Sequence, residues 1–143
     1  MSHWAIQYIG TPWQAGAQGI GADGTPAFDC WAFFRHVQRE HFGIDVPVVV
    51  AEDYDDAGVI VSLINSHPER GHWLPLAPDA PRRNGDGVIV HRPLHVGVWL
   101  DVDGGGVLHC VRNSGVVFTR DSAWSHSGFG RREFHRFNAG AAT

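Results

Sequence analysis

The chain has 143 residues, is 43% hydrophobic, and carries 11 Lys and Arg against 15 Asp and Glu for a formal charge of -4. That length suits one domain, 1–143, and the mild acidity, with no basic cluster beyond Arg82-Arg83 and Arg131-Arg132, lacks the electrostatic footprint of a nucleic-acid binder. Two cysteines, Cys30 and Cys110, are too few for a disulfide-stapled scaffold and form no CxxC pair, so free thiols are expected, with no structural zinc and no cofactor.

The opening residues, Met1-Ser2-His3-Trp4-Ala5, contain no basic segment leading into an apolar stretch, and no window reaches the length of a membrane-spanning helix. A product that is cytoplasmic on synthesis, with no membrane partner, is expected. Ser2 is placed to cap a short helix carrying Trp4, Tyr8 and Ile9, which Gly10-Thr11-Pro12 ends. From Trp13 to Ala27 there are five Gly or Pro residues and little periodicity, which predicts a long functional loop.

Asp29 then makes a good N-cap, and Cys30, Phe33, Phe34, Val37 and His41 recur at helical spacing until Gly43. Cys30 falls on the apolar stripe and in the first turn, where unpaired N–H groups and the helix dipole favour a thiolate. A second helical stretch is expected over Asp55–Ser66, preceded by the acidic run Glu52-Asp53-Tyr54-Asp55-Asp56, a solvated helix start.

Everything later reads as sheet. Strands are expected over Trp73–Leu76, Gly87–His91, Leu94–Leu100, Val107–Arg112, Val116–Arg120 and Arg131–Phe137, with turns rich in Gly, Asn and Asp between them. Helices first and strands last predict an α+β fold with an antiparallel sheet of five to six strands. In Leu94–Leu100 the even positions are Leu, Val, Val and Leu and should face the core, which sends His95, Gly97 and Trp99 to the other side. Whether His95 then meets His109 depends on register. Pairing Leu100 with Val107 separates the two imidazoles, whereas pairing Leu100 with Gly106, or a bulge in the Asp-Gly-rich turn, puts them on one face.

At these residues the chain resembles the NlpC-type cell-wall cysteine peptidases, a papain-like family of compact bacterial and phage enzymes. Gly10-Thr11-Pro12-Trp13 is similar to the entry of that family's active-site loop, Phe28-Asp29-Cys30 to its nucleophile motif, and Gly85-Asp86-Gly87-Val88-Ile89-Val90 to its Gly-Asp strand. His95-Val96-Gly97-Val98-Trp99-Leu100 is similar to its base motif, and Val107-Leu108-His109 to the strand bearing the third polar residue. The resemblance implies a papain-like fold with Cys30 as nucleophile, His95 as general base and His109 as the residue that orients His95. It implies cleavage of an amide in peptidoglycan stem peptides, between D-glutamate and a diamino acid. Trp31-Ala32 after the cysteine, in place of Ser-Gly, resembles the branch found in phages, prophages and gene-transfer particles, so phage tail proteins are the implied partners. Trp13 stands where the family often has Tyr, so an N–H replaces a hydroxyl there. Trp13, Asp29 and Trp31 form the implied substrate-binding or oxyanion region, together with the Cys30 backbone N–H.

Other readings of the same residues stand beside these. Cys110, between His109 and Val111, reads as packing, and His109 also reads as a hydrogen-bonded strand histidine. Asp29 reads first as a helix cap, and Trp13 and Trp31 as either core or cleft wall. His36, His41, His91, His126 and His135 are expected at the surface or rim. A tail-assembly subunit that keeps the fold with little catalysis, and a thiol amidase or acyltransferase on another substrate, are the rival functions.

Overall fold

The computed structural model describes residues 3–46, 72–91 and 94–138. Ser2, the acidic run and the expected helix Asp55–Ser66 lie outside the described residues. The remaining chain is mixed α and β, dominated by an antiparallel sheet.

A 3₁₀ helix, Trp4–Tyr8, opens the structure, capped by His3, whose Nδ1 accepts from the Ala5 N–H at 3.1 Å. Ile9 turns outward instead of joining Trp4 and Tyr8 against the core. Tyr8 Oη lies between His36 Nε2 and His41 Nε2 at 3.1 and 2.9 Å, and Trp4 stacks on His41 with centroids 3.7 Å apart. These contacts hold the opening turn on the helix α1 (Cys30–Phe42), and they are why the two helical histidines are not simple surface groups.

The stretch expected to be one long loop contains a small hairpin, β1 (Gln18–Ile20) and β2 (Pro26–Phe28). Three-residue strands containing Gly or Pro show no alternation to read, so only pairing reveals them. The Phe28 N–H donates to Pro12 O at 3.1 Å and the Gln14 N–H to Phe28 O at 2.9 Å, which lays Trp13 alongside the end of β2.

Helix α1 runs Cys30–Phe42 as its signals predict. The Asp29 carboxylate accepts from the Ala32 N–H at 2.7 Å, and Gly43 takes the left-handed conformation at φ 67° that ends the helix. Trp31, Phe33, Phe34 and Val37 bury its inner face. Gln38, also buried, donates its amide to Gly85 O at 2.9 Å and so ties the helix to the sheet.

The main sheet is β3 (His72–Pro75), β4 (Gly87–His91), β5 (Leu94–Leu100), β6 (Gly106–Val111), β7 (Gly115–Arg120) and β8 (Arg132–Asn138), in spatial order β3-β8-β4-β5-β6-β7. A further 3₁₀ helix, Asp121–His126, bridges β7 toward β8. On the α1 side Ile89, Val96, Val98, Leu100, Leu108 and Cys110 pack against the helix aromatics. On the other side Val88, Val90, Trp99 and Val107 pack against Trp124, with Phe129 and Phe134 around them. Burial on both faces explains why β4 reads as a continuous apolar run. Asp86, at its start, is buried and bound by Arg136 through Nε at 2.9 Å and Nη2 at 2.8 Å, which clamps β8 to the head of β4.

The β5-β6 register is Leu100↔Gly106, Trp99↔Val107 and Val98↔Leu108. The connecting turn sets it: Asp103, Gly104 and Gly105 all have positive φ, and the Gly105 N–H closes on Val102 O at 2.8 Å. Among the described residues, no helix is long and apolar enough to cross a membrane.

Candidate active site

That register places His95 and His109 on one face, the one turned away from α1. His95 Nε2 and His109 Nδ1 are 2.8 Å apart, and both rings are buried. Gly97 makes the approach possible, because a Cβ there would stand 2.5 Å from Val107 Cγ1 and 3.1 Å from His109 Cβ. A strand glycine at this point therefore marks a close approach of side chains from β6.

The pair continues to a residue that the sequence reading did not single out. His109 Nε2 lies 2.9 Å from Thr119 Oγ1 on β7. Thr119 pairs with Val107, and His109 with Val117, so parity brings the hydroxyl to the face of the imidazoles. Nothing local in the sequence distinguishes this threonine; the β6-β7 register alone does. The cover over the histidines was also missed. Phe129 stacks on His95 with centroids 5.0 Å apart at 24°, and Trp124 stacks on Phe129 at 5.5 Å. Arg132 sits 4.6 Å over Trp124, and the indole N–H donates to Gly130 O at 3.0 Å, so the strap is anchored at both ends.

This burial sets the charge state. Desolvation pushes the His95 imidazole down to about 4, and desolvation followed by the neighbouring His95 holds His109 well below the ordinary histidine range. Both rings are therefore neutral near pH 7. Each has one N–H and one lone pair to place.

Cys30 comes to the sheet from the opposite face. In β5 the Trp99 N–H donates to Asp86 O, so odd-numbered N–H groups point to β4 and even-numbered ones to β6. The β5-β6 ladder ends at Val98↔Leu108, and beyond it the Val96 N–H acts on Cys30 Sγ together with the N–H groups of Trp31 and Cys30. The thiol is thus held at the opening between β5 and β6, beside the residue that follows His95. Among the described residues, no hydrogen bond joins Sγ to either imidazole. The hydrogen bond of the His95 ring, among the described residues, is made through Nε2.

The expectation of a stabilised thiolate is corrected. Burial first, and the Asp29 carboxylate second, push the Cys30 thiol up to about 12, outweighing the three N–H groups that lower it. The residue that caps the helix brings a negative charge to the same helix start, and that charge works against a thiolate. Cys110 is the packing residue expected, fully buried with Sγ 3.4 Å from Phe28 O.

The three flanking residues divide. Asp29 is 2% exposed and is the cap. Trp31 is 3% exposed and stacks on Phe34 at 5.6 Å, so its ring belongs to the core, and the cleft-wall reading is withdrawn for it. Trp13 is half-buried beside the end of β2, with the Arg112 guanidinium 4.9 Å over its ring. His135 is buried, contrary to the rim expectation, with Nε2 3.6 Å from Glu133, a residue that also faces His91 at 3.1 Å. Among the described residues, no group of three or more His, Cys, Asp or Glu is arranged to hold a metal ion.

Comparison with protein-family models returns no match, and comparison with curated proteins returns none.

Proposed function

We propose that the protein is a thiol hydrolase of the NlpC type, with a papain-like fold, that cleaves an amide in bacterial peptidoglycan stem peptides, between D-glutamate and a diamino acid. The observation that carries this reading is the 2.8 Å contact between His95 Nε2 and His109 Nδ1, reached through the Leu100↔Gly106 register, with Cys30 Sγ held at the N–H of Val96, the residue that follows His95.

In this mechanism Cys30 Sγ attacks the amide carbonyl while its proton passes to His95 Nδ1. Because the resting thiol and imidazole are both neutral, transfer accompanies attack and does not precede it. The backbone N–H groups at the start of α1 stabilise the oxyanion, and His95 then protonates the departing amine to leave a thioester. Water, deprotonated by His95, hydrolyses the thioester and restores the thiol. His109 accepts from His95 Nε2–H and keeps Nδ1 available as the base.

The resemblance to the phage and prophage branch makes a tail or similar particle the delivery vehicle and its tail proteins the partners. The rival assembly-subunit reading draws on one observation: the Phe129 and Trp124 strap buries His95, and the thiol rests protonated. Mass spectrometry of fragments released from purified peptidoglycan separates the two. Fragments lost in Cys30→Ala and in His95→Ala but retained in Cys110→Ala support the peptidase. Their absence with folded wild type sinks it and favours assembly. Added amine acceptors that divert product from acid to amide identify an acyltransferase.

A further inference from the structure

We propose that Thr119 is a positioning residue that sets the proton arrangement of the whole histidine pair, and through it decides whether His95 can act as a base. The inference rests on the reading of Cys30 and His95 as nucleophile and base.

Two neutral imidazoles in series leave two arrangements of protons. In the productive one, His95 Nε2–H donates to His109 Nδ1, His109 Nε2–H donates to Thr119 Oγ1, and His95 Nδ1 carries a lone pair. In the reverse one, the Thr119 hydroxyl donates to His109 Nε2, His109 Nδ1–H donates to His95 Nε2, and His95 Nδ1 carries the proton. The heavy-atom distances, 2.8 and 2.9 Å, are the same for both. Only the first leaves His95 Nδ1 a lone pair with which to act as a base.

The surroundings select the first. His109 is fully buried, and Thr119 Oγ1, 2.9 Å away, is placed to accept an Nε2–H there. Thr119 is half-buried on the outermost strand of the sheet, so its own hydroxyl proton can be given to solvent while Oγ1 accepts. Its β-branched side chain is stiff at χ1, which fixes Oγ1 in line with the ring nitrogen. Replacing the hydroxyl by a methyl reverses the balance. With the methyl, the first arrangement leaves its unpaired N–H on His109, which is 0% exposed, whereas the reverse moves it to His95, which is 6% exposed, so the pair turns to the reverse arrangement.

The test is the tautomeric state of both histidines, read by ¹⁵N–¹H correlation NMR on the full chain at pH 7, for wild type, Thr119→Val and Thr119→Ser. Wild type should show Nε2–H on His95 and His109, Thr119→Val should move both to Nδ1–H, and Thr119→Ser should return to the wild-type pattern. In stem-peptide hydrolysis, Thr119→Val should lower kcat by on the order of 100-fold with KM nearly unchanged, and Thr119→Ser should recover most of the loss. Nδ1–H on His95 in wild type overturns the inference, as does an unchanged tautomer in Thr119→Val. The wild-type spectrum decides alone if Thr119→Val does not fold. Wild type with the expected tautomers but no hydrolysis supports the proton arrangement and removes the peptidase reading. Hydrolysis that is undiminished in folded Thr119→Val keeps the peptidase reading and removes the inference.

Discussion

Reaction of Cys30 with a small aromatic disulfide tests the electrostatic account of the site most directly. The thiol is pushed up to about 12, so near pH 8 about one molecule in 10⁴ carries a thiolate, against about a quarter for a free cysteine with its ordinary value near 8.5. That deficit of roughly 2,000-fold is partly offset, because a more basic thiolate attacks faster. With a Brønsted slope of about 0.4 to 0.5, the gap in basicity returns roughly 40-fold. Cys30 should therefore react about 50 times more slowly than a model thiol, before any further slowing from its partial burial. Shielding slows the reaction at every pH, so the shape of the profile is the sharper readout. The rate should rise about tenfold per pH unit from 7 to 10 with no plateau. Release of the coloured thiol measures it, with peptide mapping to exclude Cys110, which burial also pushes up to about 12. A plateau below about pH 8.5 would refute the reasoning. It would mean that an ion pair with His95 forms in the resting enzyme and that the helix start outweighs burial and Asp29.

Three other outcomes follow from the same contacts. Asp29→Asn keeps an acceptor for the Ala32 N–H, so stability should change little while the Cys30 titration midpoint falls; Asp29→Ala should cost about 1 kcal/mol or more in urea unfolding, and equal losses for both would contradict the capping account. Gly97→Ala should destabilise by about 1–3 kcal/mol, since Val107 and His109 are fully buried and cannot yield to a Cβ, and a thermal midpoint unchanged from wild type would show that β5 and β6 are not in the close register described. The folded His95 has a pKa depressed to about 4 from an unfolded value of 6.5, so its contribution is fully present above about pH 6.5 and is lost as pH falls toward 4. Roughly 2 kcal/mol should disappear between pH 6.5 and 5, and a urea midpoint as pH-independent in wild type as in His95→Asn across that window would refute it.

Much of this was legible before any fold was known. The cap at Asp29, the helical spacing from Cys30 to Val37 and the stop at Gly43 are local signals, because a helix is made of contacts within a few residues. The alternation from Leu94 to Leu100 told which side chains leave the α1 face, since a strand's period is a property of its backbone. The same residues could not say which carbonyl each strand partner meets. The turn of positive-φ residues at Asp103, Gly104 and Gly105 chose Leu100↔Gly106, and one step of slip would have parted His95 from His109. Thr119, Phe129 and Trp124 carry no motif, and they join the site because β7 and the segment after it fold back over β6. The charge state was likewise beyond the sequence: a helix start favours a thiolate, but whether burial overrides it depends on how tightly the sheet closes around Cys30. Sequence by itself determined which groups exist and which way each points along its own element. Tertiary structure decided which of them touch and how much water is left between them, because register and desolvation belong to pairs of elements and not to either one alone.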